Sequence, residues 1–154
     1  MKKIGILTCS NTTQDLGCSS FKCLDAVYRN DGEFKRHENM GGAQLVGIIN
    51  CAGCPTAVAP EKLLERVRAL TEVGVEAIHM ASCMMALCPF KNKYAKLLEN
   101  RFPEIEIVAG THTGTEEEGQ MFIGWAKDML SHKPSPMADL AKQILSGEAQ
   151  ALQI

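Results

Sequence analysis

The stretch IHMASCMMALCP, residues 78 to 89, carries one imidazole and two thiols, His79, Cys83 and Cys88. Elsewhere CAGC supplies Cys51 and Cys54, CSSFKC supplies Cys18 and Cys23, and Cys9 ends an early apolar run, making seven cysteines in all. Thiolates are soft donors that suit zinc, Cu(I) and iron–sulfur clusters. The two-residue spacer of CAGC lets both sulfurs reach one metal or one cluster. The four-residue spacers of CMMALC and CSSFKC are wide enough to span one metal or two edges of a cluster. A thiol–disulfide pair at Cys51 and Cys54 is the main competing chemistry, because a Cys-x-x-Cys at a helix start acquires a lowered pKa. Core filling is the other competitor, since free cysteine is among the most buried residue types. It applies most directly to Cys23, which falls on the apolar stripe of a helix.

Four apolar runs must position these groups: KIGILTC, QLVGIINC, EAIHMASC and IEIVAGTH. Each is nearly continuous, the pattern of a strand buried on both faces of a parallel sheet. Helical spacing fills the intervals. Phe21, Leu24, Val27 and Tyr28 share a face, as do Leu63, Val67 and Leu70 with Leu64 beside them, and then Tyr94, Leu97 and Leu98. Two more helices are expected over 116–154, one through Phe122, Trp125, Ala126 and Met129 and one through Met137, Leu140, Ala141, Ile144 and Leu145. Pro134 and Pro136 separate them. GTEEEG, residues 114 to 119, would be the charged first turn of the former. NDGEFKRHENMGG, residues 30 to 42, is polar and Gly-rich and is expected as a long surface connection. The β-α alternation predicts a single α/β domain over 1–154. It would be an open, mainly parallel sheet of four to five strands with helices on both faces, a flavodoxin- or Rossmann-like three-layer arrangement.

In a parallel sheet all carboxyl ends lie on one edge, where doubly wound folds hold their ligands. Strand one ends at Cys9, strand two at Cys51 with Cys54 beyond, strand three at Cys83 with Cys88 beyond, and strand four runs into His112. Strand alternation puts the His79 ring on the same side as Cys83. Cys9, Cys51, Cys54 and Cys83 are the expected principal ligands, followed by Cys18, Cys23, Cys88, His79 and His112. One structural zinc needs four ligands. The surplus here tilts the expectation towards an iron–sulfur cluster, or two metal sites, over one zinc. His79 could instead be a satisfied core histidine, Met80, Met84 and Met85 core or pocket lining, and His37 and His132 ordinary surface residues. Ser82 beside Cys83 has no base to make it a hydrolase nucleophile, and no Walker loop, GxGxxG, GxSxG or HExxH is present.

Composition narrows the classes further. A net charge of -2 offers no basic footprint for nucleic acid and no polybasic membrane segment. No apolar run approaches the roughly 20 residues of a membrane span. The apolar run after Lys2 and Lys3 is shorter than the roughly 7–15 residues of a signal-peptide h-region, so a cytoplasmic protein is expected. Cytosolic thiols stay reduced, and clusters of them more often bind metal or do redox work than form a disulfide framework. The partners implied are a metal ion or cluster and, for a redox role, a redox partner protein. A monomer and a homodimer both fit.

In order along the chain, LVGIINCAGCP (45–55), IHMASC (78–83), Cys88-Pro89, Gly110-Thr111-His112 and the early Cys9, Cys18 and Cys23 make the sequence resemble the CGGC domain family, small cysteine-rich proteins. The resemblance runs from strand one to about residue 113. It implies metal binding, with zinc the usual assignment, and supplies no reaction. Two departures stand out: Ala52 replaces the first glycine of the Cys-Gly-Gly-Cys hallmark, and the stretch between Cys83 and Cys88 is short.

Overall fold

The computed structural model describes residues 1–112 together with Gln120, Met121, Ile123, Gly124 and Asp128. The expected capped turn at 114–119 and the helix of Met137–Leu145 lie outside the described residues. So do Phe122, Trp125, Ala126 and Met129 of the helix before it.

Four strands form one sheet: β1 (Lys2–Thr8), β2 (Ala43–Asn50), β3 (Ala77–Met80) and β4 (Glu106–Ala109). Their order is β2-β1-β3-β4 and every neighbouring pair is parallel. Within residues 1–112, five helices connect them: α1 (Ser10–Gln14), α2 (Phe21–Arg29), α3 (Glu61–Thr71), α4 (Ser82–Leu87) and α5 (Lys91–Arg101). Two short 3-10 segments cover Gly32–Met40 and Cys54–Ala57. The four apolar runs thus become four parallel strands, as their continuous hydrophobicity predicts. β3, however, stops at Met80, and Ser82 already begins α4. No described helix is long and apolar enough to cross a membrane.

Side chains alternate between two cores. Leu7, Ile78 and Met80 face a core closed by Leu63, Val67 and Leu70 of α3, Met84 of α4, and Tyr94 and Leu98 of α5. Ile4, Ile6 and Ala77 face the other, closed by Cys23 and Ala26 of α2 and by Phe34. Two expectations change here. On α2 the buried residues are Cys23 and Ala26, whereas Phe21, Leu24 and Tyr28 are exposed. The helix lies on the sheet by its small side chains, which bring its backbone close, and its larger apolar face is turned outward. The segment 30–42 is no surface loop. Its 3-10 helix buries Phe34 and His37 completely, because a polar stretch with apolar or ring-bearing residues three apart lays one side on the sheet at a 3-10 pitch.

The β1–β2 register slips by one residue between Ile4 and Gly5, so that Gly5 faces Gly47 across the ladder. Leu70 of α3 fills the notch left by the two glycines. A methyl added at Gly47 would stand 2.6 Å from Leu70 Cδ2, and one at Gly5 would stand 2.7 Å from Leu70 Cδ1. Overpacking of this kind costs about 1–3 kcal/mol. A Gly47→Ala variant should show that loss as a lowered urea midpoint. Combined with Leu70→Ala, it should cost less than the sum of the two single changes, because the added methyl then has room. Additive losses would mean that Leu70 does not occupy the notch.

Candidate metal centre

The carboxyl edge of the sheet is assembled by the β1–β2 ladder. It continues one step past the strands, with the Cys51 N–H donating to Thr8 O at 3.0 Å. Cys9 and Cys51 therefore leave adjacent strands side by side. Asn50 anchors the loop that follows: its Oδ1 accepts the Ser10 hydroxyl at 3.0 Å, the Ala52 N–H at 3.1 Å and the Arg66 guanidinium. The Thr56 hydroxyl donates to Cys51 O at 2.8 Å and Lys93 Nζ to Ala57 O at 2.7 Å. Between the two cysteines, Ala52 has φ 63° and Gly53 φ 94°. The alanine that replaces the hallmark glycine keeps the left-handed turn and bears its steric cost.

Cys9, Cys51, Cys54 and Cys88 line one cavity of about 60 Å³, together with Asn11, Thr12 and Tyr94. Cys9 and Cys51 are buried, Cys88 is half-buried and Cys54 exposed. The neighbouring Cys9 thiol, with the backbone N–H groups of Ser10 and Gly53, holds the Cys51 thiol well below its ordinary pKa. The neighbouring Cys51 sulfur pushes the Cys9 thiol up, and burial adds to it. Burial also raises Cys88, with the neighbouring sulfurs of Cys51 and Cys54 contributing. Cys54 Sγ accepts a hydrogen bond from Asn11 Nδ2 at 3.4 Å.

The other three thiols form a second group. Cys23 is raised chiefly by burial and also by the charges of Cys83 and Cys18, and its sulfur lies 3.3 Å from Thr111 Oγ1. Cys83 Sγ accepts the Thr12 hydroxyl at 3.4 Å, so Thr12 stands between the two groups. Cys18 is exposed. The structure thus brings Cys88 rather than Cys83 to the wall of the cavity with Cys9, Cys51 and Cys54. Cys83 sits in the first turn of α4, because the backbone turns into helix immediately after β3.

Neither histidine lines the cavity. His79 is fully buried on the opposite face of the sheet, where its ring packs 4.4 Å from that of Phe34. Its Nδ1 lies 3.1 Å from Gly110 O and its Nε2 lies 2.9 Å from His37 Nε2. Strand alternation cannot align it with Cys83, which belongs to a helix. His37, expected at the surface, is its buried partner. His112 lies beyond β4, and its carbonyl accepts the Ser82 hydroxyl at 2.7 Å. Ser82 is thus engaged by a backbone oxygen, not by a base. Met80 and Met84 are buried in the core.

Among the described residues no three His, Cys, Asp or Glu side chains already stand at the spacing of a closed metal site. The donor set still suits a soft metal, with four thiols around one void. An independent feature points into the same void. Tyr94 is 1% exposed, and its hydroxyl has no hydrogen-bond partner. A buried hydroxyl left unpaired costs about 1–3 kcal/mol. Burial raises its pKa to about 12, with the four cavity thiols contributing, so it stays protonated and able to donate. Tyr94, Asn11 and Thr12 carry no sequence signal for this role. Tyr94 reads simply as an apolar face residue.

A parallel α/β sheet with a thiol-lined cavity at its carboxyl edge defines a small cysteine-rich α/β protein. The chain belongs to the CGGC domain family, whose model matches residues 3–112, a span that includes all four strands' carboxyl ends and all seven cysteines. No curated protein and no solved structure matches it.

Proposed function

We propose that the protein holds a thiolate-bound metal centre in the cavity of Cys9, Cys51, Cys54 and Cys88. The observation that carries this is the convergence of four thiols from three separate segments on one small void, with an unpartnered Tyr94 hydroxyl on its wall. An iron–sulfur cluster is the form favoured, because the thiols surround a void of about 60 Å³ and do not meet at a point. A void suits a group of several atoms, whereas one tetrahedral zinc needs its four sulfurs about 2.3 Å from a common centre. Zinc in a sensing, storage or structural role is the second form. It is favoured by the division of the seven thiols into two groups, which leaves four, the number one zinc takes. Bound here, a cluster would supply electron transfer or an open iron for a small sulfur-containing or anionic molecule. Cys51 would carry negative charge offset by the N–H groups directed at it, and the Tyr94 hydroxyl would donate a hydrogen bond to whatever the cavity takes up.

Protein purified without oxygen should contain iron and acid-labile sulfide in matching amounts, with the thiolate-to-iron absorbance of a cluster. Stoichiometric zinc in colourless protein would select the second form. Folded, metal-free protein would overturn both.

Tyr94→Phe separates the hydroxyl's role from the ring's. The metal-free variant should be as stable as the parent or more so, by up to about 1 kcal/mol, since an unpaired buried donor is removed. Its metal affinity should fall by about tenfold, as when an outer hydrogen bond is lost. Titration of metal into both proteins, beside their urea curves, checks this, and unchanged affinity would mean that an ordinary water satisfies the hydroxyl.

A further inference from the structure

We infer that Cys9 and Cys51 form a reversible disulfide that closes the metal site, making the site a redox-gated one. The bridge rests on strand geometry, and only the gating rests on the metal reading above.

The two residues extend a register that ends at Thr8 opposite Asn50. The Cys51 N–H still pairs with Thr8 O at 3.0 Å. Adjacent strands run about 4.8 Å apart, within the roughly 4.4–6.8 Å between Cα atoms that a disulfide accepts. Both side chains belong to the same core cluster and line the same cavity, so neither has to cross the sheet to meet the other. The more obvious pair, Cys51 and Cys54, is worse placed. The chain between them turns through two residues of positive φ, Ala52 and Gly53, and the exposed Cys54 thiol is held by Asn11 Nδ2 at 3.4 Å. All seven cysteines are free in the structure.

The oxidant is a small-molecule disulfide, R–S–S–R. The Cys51 thiolate, supported by the Ser10 N–H at 3.5 Å, attacks one of its sulfurs. The S–S bond breaks, Cys51 carries R–S as a mixed disulfide, and one thiolate leaves. Cys9 then gives up its proton to solvent and attacks the Cys51 sulfur. The second thiolate leaves as the Cys9–Cys51 bond forms. Two protein thiols lose two electrons and two protons, and R–S–S–R gains both to become two thiols. The bridge removes two thiolates from a four-thiol site, so metal cannot be held.

The test uses the full chain, reduced and metal-free, incubated with oxidised glutathione. The expected result is loss of two of the seven thiols and a single cross-link that peptide mass mapping assigns to Cys9 and Cys51. Cys54→Ala should form the same bridge. Cys9→Ser should stop at glutathione attached to Cys51. A cross-link between Cys51 and Cys54, or a mixed disulfide that persists in the unaltered chain, would overturn the bridge. In a second arm, the reduced chain is loaded with zinc ions, and release on oxidation is followed with a chromogenic chelator. Release should keep pace with thiol loss. Bridging with zinc retained would overturn the gating. A reduced chain that forms the bridge yet takes up no metal would overturn the metal reading and the gating together, and leave the bridge established.

Discussion

Replacing Cys51 with serine should empty the proposed centre of metal. Cys51 is the thiol on which the site converges. It directly follows β2, neighbours Cys9, and receives backbone N–H groups of Ser10 and Gly53. Those donors make it the sulfur that carries negative charge in the reduced protein, and a serine hydroxyl does not ionise in its place. Loss of a residue that only orients a ligand costs about 10–100-fold in affinity, so loss of a ligand should cost at least about 100-fold. Metal content measured on purified Cys51→Ser should fall to background while the urea midpoint changes little. Cys9→Ser and Cys88→Ser should behave the same way, and Cys18→Ser should not. Cys83→Ser decides between the two thiol groups. With its sulfur outside the cavity wall and held by Thr12, that variant should keep its metal with a change below about tenfold. Full metal in Cys51→Ser would refute the assignment and leave the thiols to redox chemistry alone.

The second large effect is acid destabilisation through His37 and His79. Gly110 O can only accept, so His79 Nδ1 carries the hydrogen that faces it and His79 Nε2 is a lone pair. His37 Nε2–H donates to that lone pair, and His37 Nδ1 is left buried without a partner. A proton on His79 would set two donors against each other. One on His37 would be buried with nothing to accept it. Burial, first of all, accordingly lowers both imidazoles, His79 to about 4. Below an ordinary imidazole value near 6.5 the unfolded chain binds protons that the folded chain refuses. The stabilisation is full above pH 6.5 and is lost as pH falls through 6.5 towards 4. Over that window His79 alone accounts for about 3 kcal/mol. Between pH 6.5 and 5, before most unfolded carboxylates protonate, urea unfolding should already register about 2 kcal/mol of it. Imidazole NMR should show two rings that do not titrate near 6.5. Flat stability from pH 7 to 5 would sink the prediction.

How far the residues alone foretold this architecture depended on the kind of pattern they formed. The sheet was legible because continuous apolar runs have one economical use in a parallel α/β protein, and the α3 and α5 stripes at Leu63–Val67–Leu70 and Tyr94–Leu98 packed as their spacing required. The convergence of thiols on the carboxyl edge followed from topology. Which thiols share a cavity did not, because it depends on where β3 gives way to α4, and nothing in AIHMASC marks a boundary at Ala81. α2 misled because its bulkiest apolar residues stay outside while Cys23 and Ala26 go in. His37 was hidden by its polar neighbours, since a 3-10 helix buries only a narrow strip. The unpartnered Tyr94 hydroxyl is a property of packing that no spacing encodes.

The central position of β1 has a bearing on how the protein comes into being. β1 is synthesised first, yet it pairs with β2 and β3, both made much later. The contact between Ser10 and Cys51 closes 41 residues of chain and that between Thr12 and Cys83 closes 71. On the ribosome, at about 5–20 residues per second, Cys9 therefore waits for several seconds before Cys51, Cys54 and Cys88 reach it. The cavity has no half-built form on the nascent chain, in contrast to a zinc finger, whose ligands lie close together along the sequence. Under the proposed metal reading, loading belongs to the completed fold, and the interval before it is when these thiols are most open to mispairing.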